Sequence, residues 1–458
     1  MRNWLSGEKM KDLLQDAAIR ATRYLETLNE RSVIPTPAAV ERLSQFYEPL
    51  PLKPSDPAAV LALLDEIGSP ATIAQAGPRF FGFVTGGTLP ATLAANWLAG
   101  AWDQNTAFYD VFPATAALED VAMGWLLELL GLPEECGVGF VTGATMANFT
   151  ALAAARHVVL EQVGWNVEAA GLFGAPSITV IVGEEAHPSL FKSLGMLGLG
   201  RERVVKVPVD QQGRMRSELL PSISGPTIIC VQAGNVNSGA FDPIAEICAK
   251  AHMAGAWVHV DGAFGLWAAA SPKLAHLTAG VAEADSWATD AHKWLNVPYD
   301  SGLAFVKNRA AMRASLAISA AYLPEGERRD PSNFTPELSR RARGVEVWAA
   351  LRSLGKEGLA ELIEQNCRAA SRFAEGLRQA GYEVHNEVVL NQVVVSFGEA
   401  ELTRRIITAI QAEGTCWAGV TVWQGHTAMR ISVSSWATTE TDVERSLEAI
   451  LRVASEKV

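Results

Sequence analysis

Cysteine is scarce. The chain holds five in 458 residues (Cys136, Cys230, Cys248, Cys367 and Cys416), with no Cys-x-x-Cys and no Cys/His cluster. That spacing lacks the usual zinc-site patterns, so no metal is expected. An odd number of scattered thiols suits a reducing compartment. Long apolar runs are missing too. The longest near-apolar stretch, 91–102, contains Asn96 and stops at Asp103, too short to span a bilayer. The first twelve residues carry charges throughout and no apolar signal core, so a cytoplasmic protein with no membrane partner is expected. Basic clusters are absent. The 38 Lys+Arg are outnumbered by 50 Asp+Glu, for a formal net charge of −12. Pairs such as Arg328-Arg329 and Arg340-Arg341 stand alone and read as solvated faces. Nucleic acid needs a basic surface, so it is excluded as a partner. With 49% hydrophobic and 19% charged residues, extensive disorder is excluded as well.

What is present is a long alternation of elements. Residues 8–31 carry apolar positions at helical spacing, followed by a proline-rich connector from Pro35 to Pro57. From about residue 115, helical segments alternate with short β-rich runs at 138–141, 178–182, 204–207, 227–231, 256–260 and 302–306. This pattern predicts an α/β fold whose mostly parallel sheet is covered on both faces. Past residue 343 a long helical stretch, interrupted around Gly355–Gly358, leads into more short strands and a final helix. The division expected is a helical arm over 1–75, a large α/β domain over 76–342 and a small α+β domain over 343–458.

Four motifs fall at predicted strand ends, where open α/β sheets bind ligands. Gly143, Ala144 and Thr145 open a helix with small residues, which suits an anion at the free N–H groups; an ordinary helix cap fits the same residues. His187 sits in Glu-Ala-His-Pro-Ser, where it suits ring stacking or a polar core position. Asp261 ends an apolar strand and needs a partner such as a protonated ring nitrogen; an ordinary turn aspartate fits the same position. Lys293, in His-Lys-Trp, suits Schiff-base chemistry or an ordinary surface position. The phosphate-binding GxGxxG and Gly-Lys-Ser/Thr loops are both absent.

Taken together, Thr-Gly-Ala-Thr-Met-Ala-Asn (142–148), Glu-Ala-His-Pro-Ser (185–189), Val-Asp-Gly-Ala-Phe-Gly (260–265) and His-Lys-Trp (292–294) resemble the fold type I pyridoxal-phosphate enzymes. More closely, the set resembles the group II amino-acid decarboxylases, which include aromatic-L-amino-acid decarboxylase. The resemblance spans roughly residues 75 to 455. It implies an aminotransferase-like fold, pyridoxal 5'-phosphate as cofactor, and a homodimer with a shared active site. It also implies decarboxylation of an L-amino acid, aromatic substrates favoured, to an amine and CO2. Lys293 would form the Schiff base, Asp261 pair with the ring nitrogen and His187 stack on the ring. Gly143, Ala144, Thr145 and His292 would hold the phosphate, with Ala263 below the ring and Asn235 near the cofactor. Phe83, Thr85 and Tyr322 would face the substrate.

Three departures qualify the likeness. Pro331 stands where the family's mobile loop carries a tyrosine, and Tyr322 is the nearest replacement; relatives without that tyrosine make aldehydes by oxidative deamination. Transamination, carbon–carbon lysis and a non-catalytic role stay open beside aldehyde formation. Asp290 replaces an asparagine beside the phosphate site, and like-charge repulsion predicts that it points away. Arg430 opens a strand where aminotransferases of this fold grip the substrate carboxylate, and an arginine also occurs there in decarboxylases.

Overall fold

The computed structural model describes residues 7–318 and 328–457. The larger sheet is built from β1 (Gly137–Val141), β2 (Thr179–Gly183), β3 (Val205–Val207), β4 (Thr227–Gln232), β5 (Trp257–Asp261), β6 (Ser286–Asp290) and β7 (Gly302–Val306). Its spatial order is β1-β7-β6-β5-β4-β2-β3. The β2, β3, β4, β5 and β6 pairings are parallel, and β7 runs antiparallel to both neighbours. Strands β1, β4, β5, β6 and β7 are buried along their whole length. Helices on both faces impose this, which is why polar alternation is missing from most of them.

One face of the sheet presents Val180, Val182, Cys230 and Ala288 to the alanine-rich helix Ala144–Glu161. The opposite face presents Ile181, Val231, Val258 and Phe305, packed with Leu126, Ile247 and Val347 from three other helices. The Ala144–Glu161 helix can start at the sheet's edge because two glycines meet there. A Cβ on Gly302 would lie 2.4 Å from the Cα of Gly143.

A second, fully antiparallel sheet contains β8 (Glu383–Val384), β9 (Gln392–Ser396), β10 (Gly419–Trp423) and β11 (His426–Ser432), in the order β10-β11-β9-β8. Its Val393, Val395, Met429 and Ile431 pack with Ile406 and Ile450 of two helices. The helix Gly344–Gln379 contributes to both cores and breaks at Gly355, at φ 61°, inside the interruption expected from the sequence. No helix among the described residues is long and apolar enough to cross a membrane.

The arginine pairs are solvated at one member each: Arg328 and Arg341 are exposed, whereas Arg329 and Arg340 turn inward. Arg340 is buried and bidentate to Glu119, at 2.6 and 2.8 Å, while Arg341 reaches Glu346. Arg329 turns inward to the Val138 carbonyl and Asp120, at 2.5 and 3.4 Å, while Arg328 lies over the Tyr109 ring. Consecutive residues in irregular backbone diverge, so one member of each pair finds a buried acceptor. A planar guanidinium tolerates such burial when carboxylates or carbonyls meet its terminal N–H groups; the Nε of Arg329 and of Arg340 has no partner among the described residues.

Candidate active site

The turn after β6 carries Lys293. Its Nζ lies 3.0 Å from Asp290 Oδ2. Asp290 Oδ1 accepts the Ala144 N–H at 2.5 Å and stands 3.6 Å from His292 Nε2. Asp290 therefore points into the helix N-terminus, contrary to the expectation that it turns away. The first helical N–H groups have no partner within the helix and carry the positive end of its dipole. Together with the Lys293 ammonium they offset the desolvation of a buried carboxylate. The Ala144 N–H at the start of this helix thus already meets a carboxyl oxygen.

His292 Nδ1 accepts the Ser301 N–H at 3.1 Å. Burial lowers the pKa of this ring, so the neutral form carries its hydrogen on Nε2, toward Asp290. Tyr299 stacks on His292, with ring centroids 4.3 Å apart. Its hydroxyl bonds to Thr85, and burial raises its pKa so that the phenol stays protonated. Thr85 is buried, and the next residue lies against the lysine turn: a Cβ on Gly86 would fall 1.8 Å from the Lys293 carbonyl oxygen.

Phe83 is 68% exposed and stacks on Trp417 at 5.3 Å; Phe80 stacks on the same indole at 5.0 Å. Phe83 and Val84 both adopt left-handed backbone, at φ 53° and 56°, a conformation that costs about 1–2 kcal/mol per residue. Asn296 helps to hold this segment in place. Its buried Oδ1 accepts N–H groups of Gly87 and Trp436, at 2.8 and 2.9 Å. Its Nδ2 donates to the Trp294 and Ser434 carbonyls, at 2.9 and 3.0 Å.

Asp261 ends β5. Its Oδ1 accepts the Ala263 N–H at 3.2 Å, and its Oδ2 accepts from Asn148 Nδ2 at 3.2 Å. His187 caps the helix Pro188–Met196, and its Nδ1 accepts the Ser189 N–H at 3.2 Å. Burial lowers the His187 pKa, while the charges of Asp261, Lys293, Arg430 and Asp290 all act on it. His187 thus lies within electrostatic reach of all four. The Arg430 side chain, on β11, has no hydrogen bond or ion pair among the described residues, and burial pushes its pKa down to about 10.

Ala263 lies at the turn after β5, where its carbonyl accepts the Asp290 N–H at 2.9 Å. Asn235 is committed to its own loop. It donates to Gln232 Oε1 and the Glu185 carbonyl, at 3.0 and 3.5 Å, and accepts N–H groups of Asn237 and Ser238. Pro331 is buried at the start of the 3-10 turn Pro331–Phe334. Tyr322 lies outside the described residues. Three residues of the site went unassigned from sequence: Asn148, Tyr299 and Asn296. Asn148 had a signal, standing one helical turn beyond Ala144; the other two lie in irregular backbone.

A pyridoxal phosphate requires an amine, an anion cradle and a carboxylate for its ring nitrogen. Lys293, the helix start at Ala144 and Asp261 supply groups of those kinds, and the Ala144 N–H already meets a carboxyl oxygen of Asp290. The family model described as the pyridoxal-dependent decarboxylase conserved domain matches residues 53–397. The chain is 25% identical over 460 residues to an aromatic-L-amino-acid decarboxylase of Bacillus atrophaeus, covering 95% of this chain and 94% of that protein. It is 27% identical over 372 residues to a 4-hydroxyphenylacetaldehyde synthase of Rhodiola rosea, covering 77% and 74%. The crystal structure of Oryza sativa TDC with PLP and tryptamine superposes with a TM-score of 0.90 at 22% identity, over 99% of both chains. Site chemistry, fold and a family match over more than half of its length agree: the chain belongs to the pyridoxal-dependent decarboxylases, fold type I enzymes that act on amino acids with pyridoxal phosphate.

Proposed function

We propose that this enzyme removes the α-carboxylate of an aromatic L-amino acid, releasing the primary amine and CO2. The observation that carries the reading is the meeting of Lys293 Nζ with an anion-holding helix start, through Asp290 at 3.0 and 2.5 Å. In this reading Lys293 supplies the amine that joins the cofactor aldehyde. Gly143, Ala144, Thr145 and His292 hold its phosphate, Asp261 faces its ring nitrogen, His187 lies against its ring, and Ala263 packs below. Pyridoxal phosphate, when bound, supplies a protonated ring that takes up the electron pair left as the Cα–carboxylate bond breaks. Asp261 keeps the proton on the ring nitrogen. Buried walls exclude water and disfavour the localised charge of the departing carboxylate.

Aromatic specificity is supported by Phe80, Phe83 and Trp417 beside Thr85, and by the relative from Bacillus atrophaeus. A second copy of the chain would cover apolar side chains on the arm: Leu50 is 92% exposed, and Leu14, Ile19, Tyr47 and Leu52 are exposed as well. This favours a homodimer, in which the arm over 1–75 joins the units over 76–342 and 343–458. The low-cysteine, free-thiol composition suits the cytoplasm.

A second reading, aldehyde formation, is favoured by Pro331 in place of the loop tyrosine and by likeness to the Rhodiola rosea synthase. Mass spectrometry of products from the cofactor-loaded enzyme, incubated in air with each common amino acid and dihydroxyphenylalanine, separates the two. An amine with CO2 supports decarboxylation; an aldehyde with ammonia and peroxide replaces it. Lys293→Ala should abolish the absorbance band of the lysine-linked cofactor, and persistence of that band unchanged would refute the site assignment.

A further inference from the structure

Trp257, His259 and Asp261 alternate along β5 and so share one face of the strand, the face covered by the helix that carries Asn148. Four hydrogen bonds link them through neighbours. Trp257 Nε1 donates to Ser286 Oγ at 2.8 Å. Ser286 Oγ lies 2.9 Å from His259 Nδ1, His259 Nε2 lies 2.8 Å from Asn148 Oδ1, and Asn148 Nδ2 lies 3.2 Å from Asp261 Oδ2. All five side chains are buried.

The two ends fix the direction of every link. An indole N–H only donates, and a carboxylate only accepts. The carboxylate takes a hydrogen from Asn148 Nδ2, so Asn148 Oδ1 faces His259 Nε2, and Nδ1 of the neutral ring is left to accept the Ser286 hydrogen. The ring hydrogen of neutral His259 then sits on Nε2 and goes to Asn148 Oδ1. Turning Asn148 over would put its oxygen against the carboxylate, so the Asp261 end sets the direction of the chain.

We infer that His259 and Asn148 are positioning residues that act through Asp261, presenting only hydrogens to it so that it remains a carboxylate aimed at the cofactor's ring nitrogen. This rests on the role of Asp261 proposed above. The neighbour on the other oxygen, the Ala263 N–H at 3.2 Å, is also a donor.

The test is 15N NMR of the holoenzyme loaded with ring-labelled pyridoxal phosphate, which reads whether the ring nitrogen carries a proton. The unmodified enzyme should give the protonated signal and Asp261→Asn the unprotonated one, which checks the Asp261 role by itself. Asn148→Leu, similar in volume, should move the signal toward the unprotonated position and raise the cofactor dissociation constant about tenfold. His259→Leu should do the same to a lesser degree. His259→Gln, whose amide nitrogen replaces the Nε2–H donor, should restore most of the signal. A protonated signal unchanged in Asn148→Leu, with Asp261→Asn shifted, overturns the relay and leaves the site reading intact. A protonated signal in both overturns both. If Asn148→Leu does not fold, Ser286→Ala breaks the two links farthest from Asp261 and leaves the other two in place: a smaller shift supports the relay, and an unmoved signal overturns it.

Discussion

Two aspartates finish adjacent strands, and they are held in opposite ways. Asp261, at the end of β5, receives only neutral donors, from Asn148 and Ala263. Asp290, at the end of β6, lies between an ammonium and a helix N-terminus. Neutral donors orient a carboxylate without cancelling its charge, which stays available to a cationic partner. A cation and a helix dipole cancel the charge, so Asp290 is a counter-ion that another anion can replace. The β5 end is built to keep a charge and the β6 end to exchange one.

The largest effect expected is at the β5 end. Asp261→Asn should lower kcat by about 10²–10³, the usual scale for losing one preorganised electrostatic group. A loss below tenfold would place the electron-sink control elsewhere. The next test concerns pH. Burial pushes the His259 pKa down to about 3, against about 6.5 in an unfolded chain. Between those values the unfolded chain binds a proton that the folded chain does not. Stability therefore falls on acidification, by about 1.4 kcal/mol per pH unit from this residue. Urea unfolding between about pH 4 and pH 6 should show a slope shallower by that amount in His259→Gln; equal slopes would mean that His259 is protonated in the native state.

The β6 end should respond more weakly and with the opposite sign. Asp290→Asn removes an anion that competes for the Ala144 N–H, so cofactor affinity should rise about two- to fivefold, the scale of a charge at a helix terminus. Weaker binding would make Asp290 part of the cradle instead of its occupant. Smallest is Tyr299→Leu. Loss of its stacking on His292 should weaken cofactor binding a few-fold and leave the ring-nitrogen signal unchanged. A shift in that signal would mean that the two ends are not independent.

The sequence made part of this site legible. Lys293, Asp261 and His187 follow runs whose burial sets where each strand stops, so their places at strand ends on the same sheet could be anticipated from pattern. The glycine break at 355 was legible for a similar local reason. The relay was not, because Asn148 meets His259 only through the rotation of a helix over a strand. Asp290 was misread because repulsion from a phosphate was weighed without the local cation and the free N–H of Ala144. The arginine pairs were misread because sequence does not show which of two neighbours turns inward. Tyr299 lies in a stretch with no periodicity, where no pattern points to a stacking partner.

The single buried amide of Asn296 has a consequence for inheritance. It joins segment 80–87, the turn beside Lys293 and the chain leaving the second sheet at Ser434 and Trp436. A chimaera that exchanged the 383–432 sheet with that of a relative would change the carbonyl and N–H positions this side chain needs, and so disturb the lysine turn some 140 positions earlier in the chain. Segment 80–87, the lysine turn and the second sheet are therefore not independently transferable cassettes. Each can drift residue by residue, whereas wholesale recombination between the sheets is penalised at one buried side chain.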